Sequence, residues 1–231
     1  MSQNTPALTP TALAKYIDHT LLRPDSSPED LERVCTQARE YGFYSVCVYW
    51  HQIPFVAEKL SGSNVLPIAV VGFPSGEVAT QEKVKETEAA IASGAREIDM
   101  VIKRSLLKAG DRAGVVADIA AVVKAAGTAP VKVILETSEL TREEKQLACV
   151  LSVEAGAKFV KTSTGFSSAG ATAEDVSLMR AAVGSKVGVK ASGGIRSYDK
   201  AIEMIAAGAT RLGTSASADI VKGAAQTGDG Y

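Results

Sequence analysis

Residues 141–163 read TREEKQLACVLSVEAGAKFVKTS and contain one complete unit of helix followed by strand. Thr141 and Glu144 have the spacing of a capping box, in which each side chain bonds the other residue's backbone N–H, so a helix begins there. Gly156 is placed to end this helix, because glycine tolerates the left-handed backbone of a helix C-terminus. The apolar run that follows, at 157–163, predicts a buried strand.

The same order of helix, short loop and strand repeats along the chain. Gly94 and Gly208 lie in the same A-x-G-A element as the glycine above, and we expect each of them to turn a helix into the next strand. Ser27 and Pro28 have the residue types of a helix N-terminus, and 80–92 reads as another outer helix. This alternation is typical of a parallel sheet covered by helices.

Eight short apolar runs qualify as strands, and eight parallel strands with intervening helices close into a barrel. They are YIDHTLL (16–22), FYSVCVY (43–49), LPIAVVGF (66–73), REIDMVI (96–102), VKVILET (131–137), AKFVKTS (157–163), KVGVKAS (186–192) and TRLGTS (210–215). No change of composition divides the chain. The sequence therefore predicts a single α/β domain over residues 1–231, a (β/α)8 TIM barrel, with a flexible tail at about 224–231.

The composition argues against several classes of partner and location. Its 46% hydrophobic and 22% charged residues suit a globular protein, and the net charge of -1 gives no general attraction for nucleic acid or anionic membranes. No stretch approaches the roughly 20 apolar residues of a membrane span, and residues 1–10 lack the pattern of a secretory signal. Cys35, Cys47 and Cys149 form no C-x-x-C pair and indicate a reducing compartment. We expect a cytoplasmic protein with no nucleic-acid or membrane partner.

A transition-metal site is not expected either. The chain contains two histidines, His19 and His51, and has no H-x-x-H or C-x-x-C motif to supply ligands. The sequence therefore favours chemistry without a metal.

Three charged residues interrupt apolar strands, and barrel enzymes place their reacting groups at the carboxyl ends of such strands. They are Lys161 in FVKTSTGF, Lys190 in VGVKASGGIR and Asp99 in EIDMVI. Two buried lysines repel each other, so one amine is expected to stay neutral and able to attack a carbonyl, while Asp99 carries protons. The alternative is a structural pairing of Lys with Asp, but a single carboxylate cannot neutralise both lysines.

The loops after the last two strands have the features of an anion site. Gly193 and Gly194 can expose backbone N–H groups, and Ser215 adds a hydroxyl near a helix N-terminus, at the position where many barrels bind phosphate. Ordinary turn chemistry is the alternative interpretation of the glycines.

At these residues the sequence resembles the deoxyribose-phosphate aldolase family. KYIDHTLL, SVCVY, VGFPSG, EIDMVI, VILET, FVKTSTGF and VKASGGIR occur in the order and at about the spacing of that family. The resemblance implies a class I aldolase of carbohydrate and deoxyribonucleotide catabolism. Such an enzyme reversibly cleaves 2-deoxy-D-ribose 5-phosphate to D-glyceraldehyde 3-phosphate and acetaldehyde, and needs no cofactor. It further implies that Lys161 forms the Schiff base, that Lys190 tunes its proton affinity and that Asp99 belongs to the proton relay.

The resemblance also assigns accessory positions. Thr164 is assigned to the substrate- and phosphate-binding residues together with Gly193, Gly194 and Ser215. Cys47 is placed near the substrate by the family pattern, although an apolar strand favours a small core residue. Tyr231 ends a mobile tail that can dip into the barrel mouth and complete the relay.

Asp18 and Glu136 stay without a catalytic assignment. The first, with its neighbour His19, could reach the pocket or merely cap the barrel, and the second is a candidate partner for a lysine. The chain departs from the family pattern at Lys103, where Asn is frequent, and at Ala216, where a second Ser is frequent.

Two rival functions stay open at this point. One is a related lysine-dependent barrel with transaldolase-like transfer, and the other is a catalytically silent sensor of sugar phosphates. A homo-oligomer also stays open, because the apolar stripes of outer helices look alike whether they pack on the barrel or on a second copy.

Overall fold

A computed structural model of the chain describes residues 8–228, with the backbone alone from 224 to 228. Its eight strands are β1 (Ile17–Thr20), β2 (Ser45–Tyr49), β3 (Leu66–Val71), β4 (Glu97–Val101), β5 (Val131–Ile134), β6 (Phe159–Lys161), β7 (Gly188–Ser192) and β8 (Arg211–Thr214). They form a closed barrel in chain order, and every neighbouring pair is parallel. The predicted (β/α)8 TIM barrel is confirmed, and each strand lies within its predicted run.

Helices connect the strands on the outside of the barrel. In the described part of the chain they are α1 (Pro10–Ala14), α2 (Pro28–Tyr41), α3 (Ile53–Lys59), α4 (Thr80–Ala92), α5 (Arg104–Lys108), α6 (Arg112–Ala126), α7 (Arg142–Glu154), α8 (Ala173–Val183), α9 (Tyr198–Ala206) and α10 (Ser217–Gly228). The helix α10 therefore includes the first part of the segment 224–231 that the sequence predicts to be a tail.

The predicted helix ends are confirmed by their hydrogen bonds. In α7 the backbone N–H of Glu144 donates to the Thr141 hydroxyl at 3.2 Å, and the Thr141 N–H donates to the Glu144 carboxylate at 2.8 Å. Gly94, Gly156 and Gly208 follow the last residues of three helices with φ of 106°, 94° and 111°. These values lie in the region that favours glycine, so the A-x-G-A elements end helices as expected.

The barrel interior divides into an apolar side and a charged side. A small apolar cluster consists of Cys47 on β2, Ile68 and Val70 on β3, and Leu22 just after β1. Charged side chains from the other strands meet across the lumen, while the larger core packs between the barrel and its helices. No described helix is long and apolar enough to cross a membrane.

Candidate active site

A cavity of about 330 Å³ opens at the carboxyl ends of the strands. Its walls come from the loops that follow β1, β6, β7 and β8. The lining includes Lys161, Thr164, Gly193, Gly194 and Ser215. The structure thus brings the predicted nucleophile and the predicted substrate-binding residues to one cavity.

Lys161 and Lys190 contact the same oxygen of Asp99. The Nζ atom of Lys161 donates to Asp99 Oδ2 at 2.9 Å, and that of Lys190 donates to it at 2.8 Å. The two lysines are register partners on β6 and β7, so both side chains point into the barrel. The three residues predicted to act together are therefore in direct contact.

The two lysines differ in their ion pairs and in their pKa shifts. Burial lowers the pKa of Lys161; Asp99 opposes that change and the charge on Lys190 adds to it. Burial also disfavours charge on Lys190, but Asp18 and Asp99 outweigh it and raise the pKa of that amine. Lys161 is the amine that loses its proton more readily, and burial contributes more to this than repulsion by Lys190 does.

Asp18 is a second carboxylate beside the lysines. The expectation that Asp99 alone serves both of them is therefore corrected. The Oδ2 atom of Asp18 lies 2.6 Å from the Lys190 amine, so Lys190 is paired with two carboxylates. The Arg211 guanidinium donates to Asp18 Oδ1 at 2.9 Å. Burial opposes ionisation of Asp18, yet these cations lower its pKa to about 2. Asp18 therefore reaches the base of the site, whereas His19 bonds Ser217 and Gln37 on the helices outside.

Three charged residues beneath the lysines were not predicted from the sequence: Glu97, Lys132 and Arg211. Lys132 lies between Glu97 and Asp99, and Arg211 also contacts Glu97, at 3.2 Å. A signal was available, since Lys132 and Arg211 also interrupt apolar runs. Both lie near the amino ends of their strands, away from the carboxyl ends at which reacting groups are expected.

Glu136, a candidate partner for a lysine, instead bonds the loop after β6 in the described structure. Its carboxylate accepts hydrogen bonds from the Thr164 hydroxyl, the Thr164 backbone N–H and, at 2.8 Å, the Ser167 hydroxyl. It therefore fixes the loop after β6. Thr164 lines the cavity as predicted, but its hydroxyl hydrogen is already used in this bond.

The proposed anion loops have the required backbone shape. Gly193 and Gly194 adopt φ of 86° and 74°, and the Gly193 carbonyl accepts from the Ala171 N–H at 3.0 Å. Arg23 and Arg196 also line the cavity, and sequence analysis assigned neither of them. The Arg23 guanidinium is already paired with Asp30 at 2.8 Å, so backbone N–H groups and the Arg196 guanidinium are what make this end of the cavity suited to an anion.

Comparison with known proteins assigns the fold and site to a family. A family model described as DeoC/LacD family aldolase matches residues 12–211. The chain belongs to the DeoC/LacD aldolase family. It is thus an enzyme that makes or breaks carbon–carbon bonds, and the resemblance drawn from its motifs is confirmed.

The aldolase is similar to proteins that carry the more specific name of deoxyribose-phosphate aldolase. One from Brevibacillus brevis is 56% identical over 217 residues, which cover 94% of this chain and 98% of the relative. One from Alkaliphilus oremlandii is 54% identical over 220 residues, with coverage of 95% and 99%. A solved structure from Aeropyrum pernix, described as a tetrameric deoxyribose phosphate aldolase, has a TM-score of 0.87 at 33% identity, with coverage of 93% and 91%.

The remaining sequence assignments have varied places in the aldolase. Cys47 is buried in the apolar cluster, and burial raises the pKa of its thiol to about 11. Lys103 donates to the Val78 carbonyl at 3.4 Å and lies apart from the cavity lining. Ala216 bonds the Thr214 hydroxyl through its backbone N–H. Tyr231 lies outside the described residues.

Proposed function

We propose that the aldolase reversibly cleaves 2-deoxy-D-ribose 5-phosphate to D-glyceraldehyde 3-phosphate and acetaldehyde through a Schiff base on Lys161. One observation carries the proposal: a lysine with a lowered pKa lies on the floor of the cavity, beside a carboxylate that also bonds a second lysine. The names of the relatives supply the substrate.

The reaction begins with the open-chain sugar. The neutral Lys161 amine attacks the C1 carbonyl, and loss of water from the carbinolamine gives an iminium ion. The C3 hydroxyl then loses its proton and becomes the carbonyl of glyceraldehyde 3-phosphate. The electron pair of the C2–C3 bond moves to C2 and the iminium nitrogen, which leaves an enamine. The iminium withdraws these electrons itself, so this scheme contains no cofactor step.

The second half of the reaction regenerates the enzyme. A proton adds to C2 of the enamine, water adds to the resulting iminium, and acetaldehyde leaves the Lys161 amine. Asp99 and Lys190 are the groups we propose for moving these protons, because Asp99 contacts both amines through one oxygen. Asp99 is fully buried, so its protons reach the substrate by way of the lysines or of water.

The phosphate is proposed to bind at the far end of the cavity. Gly193, Gly194 and Ser215 supply backbone and hydroxyl donors there, and the helix α10 begins two residues after Ser215. Arg196 adds a guanidinium at the same end. Binding at this end would leave the sugar carbonyl free to reach Lys161.

The overall reaction is tested with purified enzyme and 2-deoxy-D-ribose 5-phosphate alone. We expect glyceraldehyde 3-phosphate and acetaldehyde to form in equal amounts, as measured by coupled dehydrogenase assays. A transaldolase-like enzyme would instead require a second sugar as acceptor, and a silent sensor would bind the substrate without forming product. Either result would contradict the proposal.

We propose two further properties of the aldolase. The Aeropyrum pernix structure is described as tetrameric, and on that basis we propose that this aldolase also forms a homo-oligomer. Analytical ultracentrifugation tests this, since a monomer at micromolar concentration would contradict it.

We also propose a cytoplasmic location, on the basis of three buried cysteines with free thiols.

A further inference from the structure

Six charged side chains in the barrel form a closed ring in which positive and negative groups alternate. Lys132 contacts Glu97 and Asp99, the latter at 2.9 Å. Lys190 contacts Asp99 at 2.8 Å and Asp18 at 2.6 Å. Each of these lysines therefore bridges two carboxylates.

Arg211 closes the ring. Its guanidinium lies 2.9 Å from Asp18 and 3.2 Å from Glu97, and it stacks over the ring of Tyr44 at 3.4 Å. The side chains of the ring are between 0% and 7% exposed. In ring order the members are Arg211, Glu97, Lys132, Asp99, Lys190 and Asp18.

Lys161 lies outside this ring and has no carboxylate of its own. Among the described residues it contacts one carboxylate oxygen, Asp99 Oδ2, which Lys190 already uses. The ring of three cations and three carboxylates is neutral without Lys161. A proton on Lys161 would therefore leave a net positive charge in a buried group, which is costly where little water can screen it.

We propose that the charge balance of this ring holds Lys161 neutral, and that Glu97 and Lys132 are positioning residues which set its proton affinity without touching it. Glu97 contacts Lys132, Arg211 and Tyr44 rather than the nucleophile. The proposal rests on Lys161 being the Schiff-base lysine. It differs from a simple repulsion between two lysines, because it predicts effects from residues on the opposite side of the ring.

The groups that face Lys161 from the surrounding strands do not offer another counter-charge. Asp99 on β4 and Lys190 on β7 are ring members. Cys47 on β2 has a thiol whose pKa burial raises to about 11, so it is uncharged near neutral pH. The net charge of the ring is therefore the variable that a substitution can change.

Two single variants alter that charge in opposite directions at a distance from the nucleophile. Glu97→Gln keeps the shape and one acceptor oxygen but removes a negative charge. Lys132→Met keeps most of the volume but removes a positive charge. The double variant Glu97→Gln/Lys132→Met restores a neutral set, with Arg211 and Lys190 facing Asp18 and Asp99.

The readout is the pH dependence of reductive trapping with acetaldehyde and cyanoborohydride, with the modified lysine located by peptide mass spectrometry. Neutral Lys161 reacts, so trapping falls as the pH drops through its pKa. Glu97→Gln should move the midpoint to lower pH by about one unit, and Lys132→Met should move it to higher pH by about as much. The double variant should return it close to the wild-type value, which a loss of packing would not do.

The outcomes distinguish a failure of the ring proposal from a failure of the proposed Schiff-base function. If wild-type enzyme is not labelled at Lys161, the proposed Schiff-base function fails. If Lys161 is labelled but both single variants move the midpoint in the same direction, or Glu97→Gln leaves it unchanged, the ring proposal alone is overturned. Glu97→Gln decides the matter even if Lys132→Met does not fold, because its predicted direction of shift is unique to the charge balance.

Discussion

Lys161 and Lys190 contact the same oxygen of Asp99 but differ in their other partners. Lys190 is fully buried between Asp18 and Asp99, which raise its pKa and keep it charged. Within the part of the chain that the structure describes, Lys161 contacts one carboxylate, that of Asp99, which it shares with Lys190, and it lines the cavity. A permanently charged lysine cannot attack a carbonyl, so the difference in carboxylate partners supports the proposal that Lys161 is the nucleophile.

Removing the charge on Lys190 is expected to raise the pKa of Lys161. In Lys190→Leu the repulsion is gone while Asp18 and Asp99 stay negative, so Lys161 holds its proton to higher pH. The lower-pH limb of the kcat/KM profile should therefore move to higher pH, and activity near neutral pH should fall. Lys145→Leu is a matched control, since it removes a lysine paired with Asp175 between outer helices.

The pH profile of this control should stay at the wild-type position. An unshifted, highly active Lys190→Leu enzyme would show that Lys190 does not influence the nucleophile. Circular dichroism of both variants excludes unfolding as the cause of any change.

At the residue scale, the sequence predicted the contacts that depend on local position in a strand. Lys161, Lys190 and Asp99 could be recognised because each interrupts an apolar run. The pairing of Asp18 with Lys190 could not, because it depends on how β1 closes against β8 and brings residues 172 positions apart in sequence together. The bond from Glu136 to Thr164 was missed because it depends on the fold of a loop.

The loops at the carboxyl ends of the strands determine what the cavity can bind. Glu136 has a φ of 59°, a left-handed conformation that is uncommon for a residue with a side chain, and its carboxylate holds the loop after β6. Ser215, two residues before α10, lines the cavity as well. The caps of α2 and α7 were predictable because capping depends on residues three apart, whereas these loop contacts are not local.

Ser215→Glu tests the phosphate end of the cavity. A carboxylate there should repel the substrate phosphate and oppose its binding near the N-terminus of α10. We expect KM for 2-deoxy-D-ribose 5-phosphate to rise about tenfold or more, with a much smaller change for unphosphorylated 2-deoxy-D-ribose. The unphosphorylated sugar is the internal control, measured with the same enzyme preparation. Equal losses for both sugars would remove Ser215 from the phosphate site.

A buried ion pair on the outside of the barrel joins two helices of the whole molecule. Lys83 on α4 lies 2.6 Å from Asp118 on α6, and both side chains are at most 2% exposed. The Lys83 amine also donates to the Val101 carbonyl at the end of β4. The pair therefore ties two helices to the strand that carries Asp99.

Asp118→Asn should destabilise the molecule strongly, because it leaves the Lys83 charge buried without a counter-charge. The expected loss in free energy of unfolding is about 3 kcal/mol, measured by urea denaturation. Glu203→Gln is the control, since it removes one partner of the exposed pair with Lys200 and should cost less than about 1 kcal/mol. Similar effects of the two substitutions would contradict a structural role for the buried pair.

At the scale of the whole molecule, the barrel could be predicted because strand and helix patterns repeat along the chain. The charged ring could not, because its members lie between residues 18 and 211 and meet once all eight strands have closed. Lys83 was not singled out for a related reason. The helix α4 carries charged residues at many positions, and the sequence alone does not show that Lys83 is the buried one, because burial depends on the elements that pack against the helix.

Reductive trapping is the most direct test of whether Lys161 forms a covalent Schiff base. Wild-type enzyme is incubated with acetaldehyde and borohydride, and peptide mass spectrometry then locates the added ethyl group; Lys161→Ala is treated in the same way. We expect modification at Lys161 in the wild-type enzyme and no equivalent labelling of Lys190. The folded Lys161→Ala variant should lose both the modification and aldol cleavage. Stable modification at Lys190 instead, or substantial cleavage by Lys161→Ala, would contradict a Schiff base on Lys161.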